Sequence, residues 1–156
     1  MIRTSAVGLW MLLALACSTQ DRVIMVDDKD PEMIAAIAEA RAHVNEFVVA
    51  LKAPQPGDRS FGIKAALRDG QQVEHVWIDD VVYDGSAFSG TLGNDPELVK
   101  GHSLGESVRV VPGEISDWMY VRQDRLVGGY SIRLLRRRLT ASERTELDEG
   151  LDFRVE

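Results

Sequence analysis

The amino-acid sequence predicts a single α+β domain: a long N-terminal helix packed on a curved antiparallel sheet of about five strands, followed by a C-terminal helical segment. Three observations support this fold class. An apolar repeat at spacings of three and four residues follows a helix start at Asp30. Apolar and polar residues then alternate in segments separated by glycine-containing turns. Helical spacing returns after Gly129.

The predicted long helix begins with Asp30 as N-cap, Pro31 at the first helical position and Glu32 in the first turn. Pro54 and Pro56 end it. Between these limits one apolar stripe runs along the helix and consists of Ile34, Ile37, Val44, Phe47, Val48 and Leu51.

Alternating apolar residues predict strands at residues 61–67, 73–83, 87–92, 108–111 and 115–121. Asp69-Gly70 and Asp84-Gly85 are hairpin signals, so neighbouring strands are expected to be antiparallel. The C-terminal helical segment covers residues 130–139. A further helical stretch follows because Thr140 and Glu143 have the spacing of a capping box, and Gly150 is its predicted stop.

Length and composition restrict the class of protein. The 156 residues, 45% of them hydrophobic, suit one globular domain. A formal net charge of -7 argues against a generic nucleic-acid binder, because a phosphate backbone attracts a basic surface. The one cysteine excludes an internal disulfide.

The first residues predict a targeting signal. A basic start at Arg3 and an uncharged apolar run over residues 6–16 are typical of a signal peptide, here residues 1–16. The run is shorter than the roughly 20 apolar residues that span a bilayer. Leu13-Ala14-Leu15-Ala16-Cys17 resembles a bacterial lipobox, in which the cysteine is lipidated and starts the mature chain; an ordinary signal peptide with an incidental cysteine is the alternative.

Residues 17–26 are therefore interpreted as the lipidated cysteine and a tether, and residues 27–156 as the single domain. The lipid at Cys17 would attach the protein to a membrane. Resemblance to Gram-negative lipoproteins implies, from Ser18 after the cysteine, sorting to the outer membrane of the cell envelope with the domain facing the periplasm.

The mature chain also resembles a known family. The residues that carry the resemblance are Asp30-Pro31-Glu32-Met33, Ala40-Arg41, Phe61-Gly62-Ile63-Lys64, Glu74-His75-Val76-Trp77, Phe88-Ser89-Gly90-Thr91-Leu92, Asn94-Asp95-Pro96, Ile115-Ser116-Asp117-Trp118-Met119 and Gly128-Gly129-Tyr130. Their order and spacing resemble the bacterial domain of unknown function 2314, often labelled YegJ-like, over residues 27–140. The resemblance implies no established activity, substrate or cofactor.

Two segments contain candidate functional residues. In a strand, His75 and Trp77 share one face while Glu74 lies on the other. His75 could act as a general base with Asp117 or Glu74. Ser116 is the candidate nucleophile, but it does not lie in the Gly-x-Ser-x-Gly turn that exposes a catalytic serine. The structural alternative is that His75 forms a local hydrogen bond and Trp77 fills the core.

A milder proposal places His75, Asp117 and Asn94 around one polar pocket, with Trp77, Asn94 and Trp118 as candidate binding residues. Local backbone hydrogen bonds from Ser116 and Asp117, with Trp118 in the core, are the alternative.

No metal site and no cofactor are predicted. The three histidines, His43, His75 and His102, lack metal-ligand spacing. A run of arginines has two interpretations, contact with anionic head groups or pairing with nearby acids. It comprises Arg133, Arg136, Arg137 and Arg138, and the acids are Glu143, Glu146, Asp148 and Glu149.

The sequence therefore favours a periplasm-facing lipoprotein whose domain binds a protein, a peptide or another envelope component without catalysis. A small hydrolase using His75 with Asp117 or Glu74 is one alternative. An immunity-type inhibitor that masks a toxin by charge complementarity is another.

Overall fold

A six-stranded antiparallel sheet forms the body of the domain, and the first two helices pack on one of its faces. The computed structural model describes residues 30–156, so the predicted signal peptide, Cys17 and the tether lie outside the described residues. The helices are α1 (Pro31–Ala42), α2 (Val44–Lys52), α3 (Tyr130–Arg138) and α4 (Ala141–Gly150). The strands are β1 (Asp58–Asp69), β2 (Gln72–Tyr83), β3 (Phe88–Leu92), β4 (Ser107–Val110), β5 (Ile115–Arg122) and β6 (Arg125–Gly128).

The strand order is β4-β3-β2-β1-β5-β6, and every neighbouring pair is antiparallel. The long hairpin of β1 and β2 lies at the centre and turns at Gly70, where φ is 58°. The α+β class and the antiparallel sheet are therefore confirmed.

The predicted long helix is two helices, and this part of the prediction was wrong. The chain leaves helical geometry at His43, where the Nδ1 atom lies 2.8 Å from the carbonyl oxygen of Glu39 and helps to satisfy the end of α1. The break resets the helical phase, so the predicted stripe does not stay on one face. Ile34 is 53% exposed, whereas Ala40 is fully buried.

The prediction of about five strands missed β6. The β5–β6 hairpin turns through Gln123 and Asp124, whose φ angles are 50° and 58°. A turn with two positive φ angles usually contains Asn-Gly, Asp-Gly or Gly-Gly, so Gln-Asp gave no turn signal in the sequence.

Both predicted helix caps are confirmed. The Asp30 carboxylate accepts hydrogen bonds from the backbone N–H groups of Glu32 and Met33 at the start of α1. At the start of α4, Thr140 and Glu143 form a reciprocal capping box.

The core lies between the sheet and the first two helices. Phe47 of α2 is fully buried, and its ring centroid lies 5.6 Å from that of Trp118 on β5 and 6.0 Å from that of Phe88 on β3. The Trp118 indole N–H donates to the carbonyl oxygen of Ala40 at 2.8 Å. These contacts hold α1 and α2 on the same side of the sheet.

Gly128, at the end of β6, tests this packing. Its φ is 72°, and a Cβ atom there would lie 2.3 Å from the backbone oxygen of Trp118. We expect Gly128→Ala to lower the free energy of unfolding by about 3 kcal/mol, because left-handed strain and overpacking add. Urea denaturation measures the change.

Gly57→Ala is the matched control, since Gly57 also has a positive φ of 90° but open space around its Cβ position. It should cost only the backbone strain, about 1 kcal/mol. Equal losses for the two variants would contradict the close approach of Gly128 to Trp118.

Candidate functional site

Glu74, one of the candidate catalytic carboxylates, holds a loop in place. Its side chain is 4% exposed and lies on the core face of β2. The carboxylate accepts hydrogen bonds from the backbone N–H groups of Glu97, Leu98 and Val99, at 2.9, 2.7 and 3.2 Å. The loop between β3 and β4 is therefore fastened to the central hairpin through one side chain.

The charge state of Glu74 follows from these contacts. Burial opposes ionisation, but the three backbone donors and the nearby Lys100 outweigh it, so the pKa of Glu74 lies below its ordinary value. An ionised carboxylate with three N–H donors is well suited to hold a loop. It is poorly suited to accept and release a proton near neutral pH.

Asp117, the other candidate carboxylate, caps α3. It is fully buried on β5. One oxygen accepts from the N–H groups of Trp118 and Tyr130, and the other accepts from the N–H and the hydroxyl of Ser131, at distances of 2.6–3.0 Å. The N-cap position of α3 is Gly129, which has no side chain, so Asp117 supplies the missing cap from another strand.

Burial raises the pKa of Asp117 above its ordinary value, although its four hydrogen bonds oppose that shift. The positive end of the α3 dipole also favours the charged form. Since all four donors come from Trp118, Tyr130 and Ser131, the oxygens of Asp117 face α3 and not His75.

The strand positions of His75 and the two carboxylates differ. Glu74 precedes it on β2 and lies on the opposite face of the sheet. Asp117 is on β5, and β1 lies between β5 and β2. Two strand spacings separate the β2 and β5 backbones by about 10 Å. The catalytic roles of His75, Asp117 and Glu74 remain predictions.

The face of the sheet away from α1 and α2 contains a different group of side chains. We call it the open face, and its central residues are Lys64, Ala66 and Arg68 of β1 with His75, Trp77 and Asp79 of β2. As the alternation predicted, His75 and Trp77 share this face. Both are half-buried, so Trp77 does not fill the main core.

Lys64 is the residue that the sequence interpretation missed. It lies directly opposite Trp77 on β2 and opposite Asp117 on β5. Its Nζ atom is 5.6 Å from the centre of the Trp77 ring, within the range of a cation–π contact. Burial lowers the pKa of Lys64, and the charge of Asp117 partly opposes that shift. The short hairpin at Gly70 could have predicted the Lys64–Trp77 pairing, because turn length fixes register.

Asn94 and Trp118 occupy two different environments. Asn94 follows β3 in the loop that Glu74 fastens, and its side-chain amide donates to the carbonyl oxygen of Asp95. Gly93 donates its N–H to the Trp77 carbonyl, which places this loop beside β2. Trp118 is 1% exposed in the core. Their binding roles remain predictions, and Trp118 presents no accessible surface.

The arginine run is largely occupied within the domain. Arg136 forms an ion pair with Asp148, as one interpretation expected. Arg138 pairs with Asp30 and Glu32 at the start of α1. Arg133 donates to the backbone oxygens of Leu126, Gly128 and Glu156.

A surface cleft of about 340 Å³ lies between α1 and α3. Glu32 and Glu39 line one wall, Arg133 and Arg137 the other, and Tyr130 stacks on His43 near its end. Within residues 30–156, no three His, Cys, Asp or Glu side chains are grouped so that they could hold a metal ion.

The low pKa of Glu74 predicts a pH-dependent contribution to stability. An acid whose pKa is lowered by folding stabilises the fold above its unfolded pKa, ordinarily 4.5, and loses that effect as pH falls through the folded pKa. We expect Glu74→Gln to lower the free energy of unfolding by about 2 kcal/mol at pH 7. The deficit should shrink as pH drops below about 4.

Urea denaturation at pH 7, 5 and 3 measures this difference. Glu97→Gln removes an exposed carboxylate from the same loop and should change stability little at any of these values. A deficit in Glu74→Gln that is independent of pH would contradict the ionised loop anchor.

Comparison with known proteins identifies the family of this fold. Residues 30–153 match the model of uncharacterised proteins conserved in bacteria, DUF2314. The uncharacterised protein YegJ of Escherichia coli (strain K12) is 34% identical over 117 residues, which cover 75% of this chain and 73% of that protein. A putative ankyrin repeat protein of Neisseria meningitidis serogroup B, NMB1133/NMB1171, is 44% identical over 87 residues, which cover 54% of this chain and 34% of that protein.

No solved structure matches. The family match covers most of the chain and confirms the resemblance that the sequence motifs indicated. This chain belongs to the DUF2314 family of uncharacterised proteins conserved in bacteria.

Proposed function

We propose that this chain is a non-enzymatic binding domain of the bacterial cell envelope, and that its open face receives the partner. The observation that carries the proposal is that the structural carboxylates and the candidate binding residues are separate groups of side chains. Glu74 and Asp117, the carboxylates available for acid–base chemistry, are occupied in holding a loop and a helix. Lys64, His75 and Trp77 lie together on the other side, away from α1 and α2.

The chemistry of the open face suits recognition. A half-buried tryptophan offers a flat apolar surface, and a neighbouring cation and an exposed Asp79 add polar specificity. The Neisseria relative supports the same view, because its matching segment is 34% of a longer protein named for ankyrin repeats. A domain that occurs beside other modules is typical of proteins that assemble with partners.

The proposed location rests on residues 1–17. We propose that Cys17 is lipidated after removal of residues 1–16, and that the domain faces the periplasm from the outer membrane. Within residues 30–156, the helices are too short or too polar to cross a bilayer.

A variant pair tests the binding surface. Full-length chain carrying Cys17→Ser serves as bait in envelope extract, with or without a further charge reversal. Asp79→Lys changes the exposed carboxylate on the open face, and Glu39→Lys changes an exposed carboxylate on α1. We expect a specific partner to be captured by the parent and by Glu39→Lys, and to be reduced about tenfold or more by Asp79→Lys.

Loss of the partner with Glu39→Lys but not with Asp79→Lys would refute the open face as the binding surface. The proposed binding function would be refuted if no captured protein were reduced by either Asp79→Lys or Glu39→Lys. Circular dichroism of each bait confirms that the variants are folded.

A second experiment tests the lipid anchor. In cells, Cys17→Ser should move the protein from the membrane fraction to the soluble periplasmic fraction, because the acyl chains are lost. Ser18→Ala leaves the cysteine in place and is the control. Membrane retention of the Cys17→Ser protein would remove the anchor from the proposal.

A further inference from the structure

We propose that Lys64, Arg68 and His75 form an oxyanion-binding patch on the open face, in which a phosphate or carboxylate group of a ligand sits above Ala66 beside Trp77. This inference deepens the proposed binding function and rests on it. It names the chemical class of ligand that the open face would recognise.

The pattern of charge pairing supports the patch. The chain is acidic, with 25 acidic against 18 basic side chains. Many of its cations are matched by carboxylates; the pairs include Arg59 with Asp124 and Asp152, Arg109 with Asp84, Arg122 with Asp58, Arg125 with Glu156, and Arg136 with Asp148. Lys64 and Arg68 are among the cations that form no ion pair with a carboxylate of residues 30–156.

The positions of these two cations also support the patch. Lys64 and Arg68 are four residues apart on β1 and share the open face, with Ala66 between them. His75 on β2 lies directly opposite Ala66 and is therefore diagonal to both cations. Diagonal neighbours in a sheet are about 7–8 Å apart, which long side chains can bridge. Two basic side chains and an imidazole thus surround a residue with only a methyl side chain.

The half-buried charge of Lys64 favours an anion at this place. Lys64 is partly removed from water, and this burial lowers its pKa. Asp117 lies opposite it on β5, but the oxygens of that carboxylate already accept hydrogen bonds from the start of α3. A charge in this position gains from an anion that approaches from solvent. The Trp77 ring beside it can contact the apolar part of the same ligand.

The acidic balance of the chain limits the size of the ligand. A polyanion such as nucleic acid would be repelled by the surrounding surface, whereas one phosphate or carboxylate group requires only the local cations. Lysine and arginine both bind such groups, and arginine can donate two hydrogen bonds to one of them.

The experiment uses the full-length chain with Cys17→Ser, labelled with ¹⁵N, and follows the Trp77 indole N–H signal, assigned by Trp77→Phe. Inorganic phosphate should shift this signal saturably, and the affinity should fall with added sodium chloride. Lys64→Gln should weaken phosphate binding about tenfold. Arg109→Gln removes the same charge from an ion-paired arginine on β4 and should leave the affinity unchanged.

A second variant keeps the proposal testable if Lys64→Gln unfolds. Ala66→Glu places a carboxylate between the cations, so it should abolish the phosphate response and raise the midpoint of thermal unfolding by roughly 2 °C. A lower midpoint together with an intact phosphate response would contradict the patch.

Vesicles distinguish a lipid head group from a soluble anion. A Trp77 signal that responds to phosphatidylglycerol vesicles, but not to phosphatidylcholine vesicles or free phosphate, supports the patch and assigns it to lipid. The patch is overturned if the Trp77 signal responds neither to phosphate nor to either kind of vesicle. It is also overturned if Lys64→Gln and Arg109→Gln lose equal amounts of phosphate affinity. If the patch fails but capture of the partner is still reduced by Asp79→Lys, the proposed binding function is retained.

Discussion

Trp118 on β5 joins three helices to the sheet. Its indole N–H donates to the Ala40 carbonyl, and its ring contacts Phe47 on α2 and Tyr130 at the start of α3. One buried side chain on β5 thus holds three helices, and it holds α1 and α2 on the same face of the sheet. Because α1 and α2 pack on that face, Lys64, His75 and Trp77 lie on the other face of the sheet.

Unpaired backbone groups explain the hydrogen bonds that Glu74 and Asp117 form. The β3–β4 loop and α3 each present backbone N–H groups that need acceptors, and neither carries an acceptor at the required place. Glu74 and Asp117 supply these acceptors from β2 and β5. Carboxylates beside histidine and serine in sequence resemble catalytic groups, but in the fold Glu74 holds a loop and Asp117 caps the start of a helix.

Local signals predicted much of the fold. The Asp30 cap, the capping box at Thr140 and the period-two alternation of β1 and β2 depend on residues close in sequence, and all are confirmed. The break at His43 and the Gln123-Asp124 turn were not predicted, because neither contains the glycine or proline that usually marks such a feature. The α3 cap was beyond prediction for another reason. Asp117 and Ser131 are 14 residues apart, and only the pairing of β5 with β6 brings them together.

The central claim is that the open face, and not the helical face, meets the partner. Site-specific photocrosslinking in living cells tests it most directly, with the crosslinking residue placed either at Thr91 on the open face or at Ile34 on α1. Thr91 is half-buried opposite Asp79, and Ile34 is 53% exposed. The account predicts a discrete crosslinked species from position 91 and none from position 34. A species formed from position 34 alone, or equally from both positions, would contradict it.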